Sequence, residues 1–242
     1  MSRHECRIAG VRLTTNREVA GDDGGPCSTA SSEVLFLDAP ADPPSDWLRI
    51  PNPGTGADVR IRRDGRQAVI TADPAGPDQG AREMRWATPF IAALQGETVL
   101  HASAVERGGC VYAFVAGSRT GKSTFSNALA TRGWNKVADD LLPQCFFEQS
   151  NRRLRALFLL ERPRGGGAIG TRRLSVEEAL GELVVNGFDE LAEAAIWETH
   201  FRFYCRIVEA VPCRAFTIPD DMSRVGEAAA WWERMLEAEA WL

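Results

Sequence analysis

Tyr112 to Leu129 reads YAFVAGSRTGKSTFSNAL, and the rest of the chain is placed relative to it. Tyr112 to Val115 is an apolar run of strand length. Ala116 to Thr124 then sets Gly117 and Gly121 beside Lys122, Ser123 and Thr124. Phe125, Ala128 and Leu129 follow at helical spacing as far as Gly133, which suits the left-handed residue past a helix end. A strand, a small-residue loop and a helix in that order make a P-loop (Walker A) of the form Ala/Gly-x-x-x-x-Gly-Lys-Ser. Ala116 stands where the first glycine usually does.

The motif predicts a bound nucleoside triphosphate. The backbone of Ala116, Gly117, Ser118, Arg119, Thr120, Gly121, Lys122, Ser123 and Thr124 is expected to close around its phosphates, at the positive end of the helix dipole. Lys122 is expected to reach the β- and γ-phosphates, and Ser123 to offer its hydroxyl to Mg²⁺. Lysine usage points the same way. Of 28 basic residues only Lys122 and Lys136 are lysines, so a lysine in the phosphate position is not filler.

The remaining composition sets bounds. The 242 residues suffice for one large domain or two small ones, and 44% hydrophobic with 25% charged content is that of an ordinary globular chain. A net charge of −5 without a basic stretch argues against nucleic acid as a partner. No apolar run approaches the length of a membrane span, and MSRHECRIAG lacks a signal core, so a cytoplasmic protein is expected. Six scattered cysteines contain no C-x-x-C pair, and reduced thiols are expected. The oligomeric state, including a homo-oligomer, stays open.

Before the P-loop the pattern is β-rich. Arg7 to Leu13 and Val34 to Leu37 are candidate strands, and nine of the 13 prolines precede residue 90, which disfavours long helices. Asp58 to Ala72 carries a hairpin signal at Asp64-Gly65. Pairing Arg63 with Arg66 sets Val59 opposite Ile70 and Ile61 opposite Ala68. Thr88-Pro89 is expected to open a short helix, Phe90 to Leu94. Residues 1–95 thus form a β-rich N-terminal region, and residues 96–242 a P-loop core with C-terminal helices.

Within the core, Thr98 to Val105 and Cys110 to Val115 read as paired strands. Pairing Val105 with Cys110 places His101 opposite Phe114, beside the P-loop strand. Lys136 to Ala138 is a short strand returning parallel to that strand and ending in Asp139-Asp140, at the sheet edge where ligands sit in open α/β sheets. Leu154 to Leu160 and Cys213 to Ile218 are further strands. Ser175 to Glu178 is a capping box opening a helix to Val185, a longer helix covers about Asp189 to Val211, and a last one carries Val225 to Leu242. His4 and His200 read as incidental or structural, whereas His101 lies near the phosphates.

LHASAV (100–105), AGSRTGKST (116–124) and RGWNKVADD (132–140) together resemble the HPr kinase/phosphorylase family, and more closely its compact stand-alone relatives with a PEP-carboxykinase-like nucleotide fold. The resemblance covers about residues 98–142 well and has no motif before residue 85. It implies an α/β fold, a PEP-carboxykinase-like P-loop core with a mixed sheet behind the β-rich N-terminal region. It also implies active-site roles for His101, Lys122 and Asp140, and Mg²⁺ on Ser123. LLERPRG (159–165) offers Glu161 for the family's metal-binding glutamate, at an altered spacing. Arg119 occupies a position that is usually glycine in the family.

The resulting expectation is an ATP- and Mg²⁺-dependent kinase acting on a hydroxyl, a serine of a peptide or small protein. Asp139 shares the metal with Ser123, and Asp140 takes the acceptor's proton. Two alternatives are a nucleotide-binding regulatory or scaffold module without transfer, and a phosphoserine phosphorylase or hydrolase using the same site. Arg162 to Arg173, rich in glycine and arginine, is expected as a mobile segment over an acidic peptide.

Overall fold

Two mixed six-stranded sheets organise the computed structural model, which describes residues 3–9, 11–16, 31–37, 46–52, 54–71, 77–148, 153–165, 167–187 and 194–241. The fold is α/β, with six α-helices among these residues. The chain divides into two units, residues 1–99 with 190–200 and residues 100–189 with 201–242.

The first unit holds strands β1 (His4–Ile8), β2 (Val11–Thr15), β3 (Ser31–Leu37), β4 (Leu48–Pro51), β5 (Asp58–Ile61) and β6 (Gln67–Thr71), in the order β1-β2-β3-β6-β5-β4. The expected strand Arg7 to Leu13 is two strands, because the chain turns at Ala9 (φ 49°). The β5–β6 hairpin has the expected register, Val59 opposite Ile70 and Ile61 opposite Ala68, with these four side chains buried. Its ladder closes one residue early, where Arg62 N–H donates to Gln67 O at 2.9 Å. Asp64 Oδ1 accepts from Arg66 N, and Gly65 takes φ 69°, so four residues rather than two make the turn.

Helix α1 (Pro77–Leu94) corrects the expectation of a short helix opened by Pro89, which instead lies inside 18 helical residues. Proline removes one ladder donor there. Burial outweighs that loss, because Met84, Ala87, Phe90 and Ile91 form a wholly buried face. Thr88 Oγ1 donates to Met84 O at 2.7 Å, just before the proline.

In the second unit, β8 (Ser103–Arg107), β9 (Cys110–Val115), β10 (Asn135–Ala138), β12 (Arg153–Glu161), β13 (Gly170–Arg173) and β14 (Cys213–Thr217) form a sheet in the order β10-β8-β9-β12-β14-β13. Strands β9, β12 and β14 run parallel. Strand β10 is antiparallel to β8, which is antiparallel to β9, so β10 returns in the direction of β9 with β8 between them. Gly108 (φ 61°) and Gly109 (φ 80°) turn the β8–β9 hairpin as a two-residue loop, which pairs Arg107 with Cys110.

That turn overturns the expected register. Ser103, not His101, faces Phe114, and Val105 faces Tyr112. His101 ends a separate short strand, β7 (Val99–His101), which pairs with β11 (Leu141–Pro143). The short helix α3 (Cys145–Glu148) follows β11.

Alternation along β9 feeds two cores. Ala113 and Val115 join Leu157, Leu159, Leu183 of α4 (Val176–Val185), and Phe203, Tyr204 and Ile207 of α5 (Ala194–Ala210). Tyr112 and Phe114 join Phe158, Phe216, Phe125 and Leu129 of α2 (Lys122–Ala130), and Trp232 and Leu236 of α6 (Val225–Ala238). Trp232 is fully buried, with ring centroids 5.1–5.5 Å from Trp134, Tyr112, Phe114 and Phe158. Helix α2 is thereby anchored to the sheet by its apolar stripe, and its N-terminus is held at the end of β9.

Ser175 caps α4 in the expected capping box with Glu178. Residues 188–193, the expected start of α5, lie outside the described residues. Cys6, Cys110, Cys205 and Cys213 form no disulfide, whereas Cys145 is disulfide-bonded, against the expectation of reduced cysteines throughout. No helix among the described residues is long and apolar enough to cross a membrane.

Candidate functional site

The loop Ala116–Gly121 joins the end of β9 to the first turn of α2. Two of its residues, Arg119 (φ 66°) and Gly121 (φ 115°), take left-handed backbone, and Thr120 N–H donates to Gly117 O at 3.3 Å. Gly121 is the N-cap of α2, no side chain caps the helix, and no acidic residue stands in its first turn. The first-turn amides and the positive helix end therefore meet no negative charge from the helix itself, an arrangement suited to an anion. The φ of 115° favours glycine at this position, and a β-carbon there would also press on the end of the Met222 side chain, 3.0 Å away.

Lys122 opens the helix and points back under the loop, its Nζ donating to Ala116 O at 2.7 Å. Its residue is 7% exposed, and burial pulls its pKa below the usual lysine range, partly offset by the carboxylates of Asp140 and Asp139. Ser103 Oγ, fully buried, donates to Lys122 O at 3.3 Å and ties the helix start to β8. Ser123 and Thr124 are exposed in the same turn, and Ser126 Oγ donates to Ser123 O.

His101 is gripped at both ring nitrogens. Nδ1 lies 3.0 Å from the backbone oxygen of Asn186, and Nε2 lies 3.0 Å from Asp140 Oδ1. A carbonyl only accepts, so Nδ1 carries a proton. On the other side of the ring Nε2 meets the Asp140 carboxyl group, so imidazole and carboxyl group hold each other in place. Ala102 N–H donates to Asp140 O at 3.0 Å, which fixes the aspartate backbone beside β7.

Asp139 takes the other side of that corner. Its Oδ1 pairs with Lys136 Nζ at 2.7 Å, and Lys136 also donates to Asn127 Oδ1 on α2 at 2.8 Å. Both lysines of the chain therefore serve this corner of the fold. Among the described residues no group of three or more His, Cys, Asp or Glu assembles as a metal cage.

Glu161 ends β12, two residues past the Leu159–Val115 pair and so level with the loop. It faces Arg172 Nη2 at 3.4 Å, and Arg172 Nη1 donates to Glu178 at 2.9 Å. A cavity of about 190 Å³ lies here, lined by Ala116, Gly117, Glu161, Arg172, Glu182 and Asn186 among others. The structure thus brings His101, Asp140, Asp139 and Lys122 together and sets Glu161 on a different wall with Arg172. The segment expected to be mobile differs in its second half, because Gly170–Arg173 is strand β13, paired with β14. Arg162 Nε meets Asp220 Oδ1 at 3.2 Å.

Asn186, Lys136 and Ser103 were not selected from the sequence. Asn186 is the C-cap of α4, its carbonyl holds His101, and its side chain stands against Gly117 while bonded to Glu182. No local motif reports it, because it lies 85 residues from His101. Lys136 carried one signal, its rarity.

No family model matches the chain, and no curated protein does so significantly. Among solved structures, the Hpr(Ser) kinase/phosphatase from Coxiella burnetii aligns with a TM-score of 0.32 and 11% identity, over 59% of this chain and 99% of that one. A likeness at that level adds nothing to the account of the site, which stands on the geometry above.

Proposed function

We propose that the second unit is an ATP-dependent phosphotransferase core of the PEP-carboxykinase-like type, acting in the cytoplasm on the hydroxyl of a serine in a peptide or small protein. The observation that carries the reading is the His101–Asp140 pair, held 3.0 Å apart beside the residue that opens α2, Lys122. An anion-ready helix start, a buried ammonium and a carboxylate poised with a proton partner are the parts that phosphoryl transfer to a hydroxyl requires. The resemblance over residues 98–142 names the same residues.

In this reading the amides of Gly117 to Ser123 and the Lys122 ammonium hold the β- and γ-phosphates. Magnesium, when bound at Ser123 and the free oxygen of Asp139, supplies neutralisation of phosphate charge. Asn186 holds His101, and His101 in turn holds the Asp140 carboxyl group in place for the acceptor. The acceptor oxygen attacks the γ-phosphorus and its proton passes to Asp140. The bond from the γ-phosphorus to the bridging oxygen breaks, and ADP leaves with that oxygen's electron pair. Most of the rate enhancement comes from positioning and fixed charge.

The test is transfer of label from γ-labelled ATP, with Mg²⁺, to proteins of a cell extract, comparing wild type with Asp140→Asn. The reading predicts serine labelling by the wild type, and a rate reduced by about 10²–10⁴-fold in the variant with ATP affinity preserved. Labelling of nucleosides or sugars alone, with no labelled peptide, contradicts it. Equal activity of the two proteins contradicts the role of Asp140.

A further inference from the structure

We propose that Arg119 is a second phosphate-binding cation built into the loop, its guanidinium gripping the non-bridging oxygens of the bound polyphosphate from the loop's exposed rim. The inference rests on the loop reading above and deepens it.

Three described residues other than glycine take positive φ: Ala9, Arg119 and Ala240. Ala9 turns the β1–β2 hairpin, and Ala240 follows the end of α6. Both are small residues at chain reversals. Arg119 is a long, charged residue in the middle of the loop, at φ 66°, where a β-carbon costs folding free energy that glycine would not. Strain kept at one residue, in a loop already rich in glycine, calls for a use of the side chain.

The guanidinium is available for one. Arg119 is exposed and makes no hydrogen bond, ion pair or ring contact among the described residues. Arginines elsewhere are commonly engaged, as Arg49 with Asp58, Arg62 with Asp64, Arg162 with Asp220 and Arg224 with Glu227. Both lysines of this corner are already engaged. Lys136 is paired with Asp139, and Lys122 is buried with its ammonium against Ala116 O and two carboxylates nearby. A polyphosphate entering that corner meets Asp139 and Asp140 as well as Lys122. A planar, permanently charged fork at the rim offsets this repulsion and matches phosphate oxygens two at a time.

The two properties predict opposite effects of one substitution. Arg119→Gly relieves the backbone and removes the cation. The full-length variant is therefore expected to unfold at a higher temperature than wild type without nucleotide, yet to bind Mg·ATP about tenfold more weakly, the scale of one charge-assisted contact. Arg119→Lys keeps the strain and a point charge, and is expected to bind between the two. Equal Mg·ATP affinity of wild type and Arg119→Gly by calorimetry overturns this proposal and leaves the loop reading intact. A folded wild type that binds no ATP overturns both.

Discussion

His101 Nε2 and Asp140 Oδ1 stand 3.0 Å apart although 39 residues separate them in the chain. One residue ends β7 and the other precedes β11, the strand that pairs with it, so the small two-stranded sheet sets their spacing. The contact is oriented by Asn186, whose carbonyl accepts from the opposite ring nitrogen.

His101→Asn is therefore expected to slow transfer by about 10²-fold, because the Asp140 carboxyl group loses the ring that positions it. Affinity for ATP should change little. Single-turnover kinetics at saturating Mg·ATP checks this, and an unaltered rate contradicts it.

Gly121→Ala should impair the loop without touching a charged group. At φ 115° an alanine costs about 1–2 kcal/mol in backbone strain, and its β-carbon meets Met222 Cε at 3.0 Å. Thermal unfolding should fall by about 2–4 °C per kcal/mol lost. Nucleotide binding should weaken more than the fold does, since the same residue shapes the amide cradle.

His200 gives a pH dependence independent of the nucleotide site. It is 1% exposed, and burial pushes its pKa down to about 4, opposed by a bond to the backbone of Pro89. The unfolded chain protonates this ring near its ordinary value and the folded chain does not. Its contribution is constant above about pH 6.5, and stability falls as pH drops from there toward 4, by about 3 kcal/mol in total. Denaturant unfolding at stepped pH should show this slope, and His200→Gln should flatten it.

The core was legible where periodicity and punctuation agreed. The strand and helix that flank the 116–121 loop, the Val59–Ile70 register and the Ser175 capping box all follow from short-range rules. Pro89 misled because burial of Met84, Ala87, Phe90 and Ile91 outweighs one lost ladder bond, a tertiary effect that local propensity does not contain. The β8–β9 register slipped by two residues because Gly108-Gly109 alone forms the turn, and Glu106 and Arg107 stay in the strand despite their charge. Asn186 was hidden for another reason. Its role belongs to its backbone carbonyl, which every residue type carries, and only the path of α4 brings that carbonyl to His101.

The central claim is that the 116–124 loop binds a nucleoside triphosphate through Lys122, and calorimetric titration of Mg·ATP into wild type and Lys122→Ala tests it most directly. Wild type is expected to bind with one site per chain, and Lys122→Ala to bind at least about tenfold more weakly while remaining folded, because the lost ammonium made charge-assisted contacts. Equal affinity in the two proteins would contradict the account.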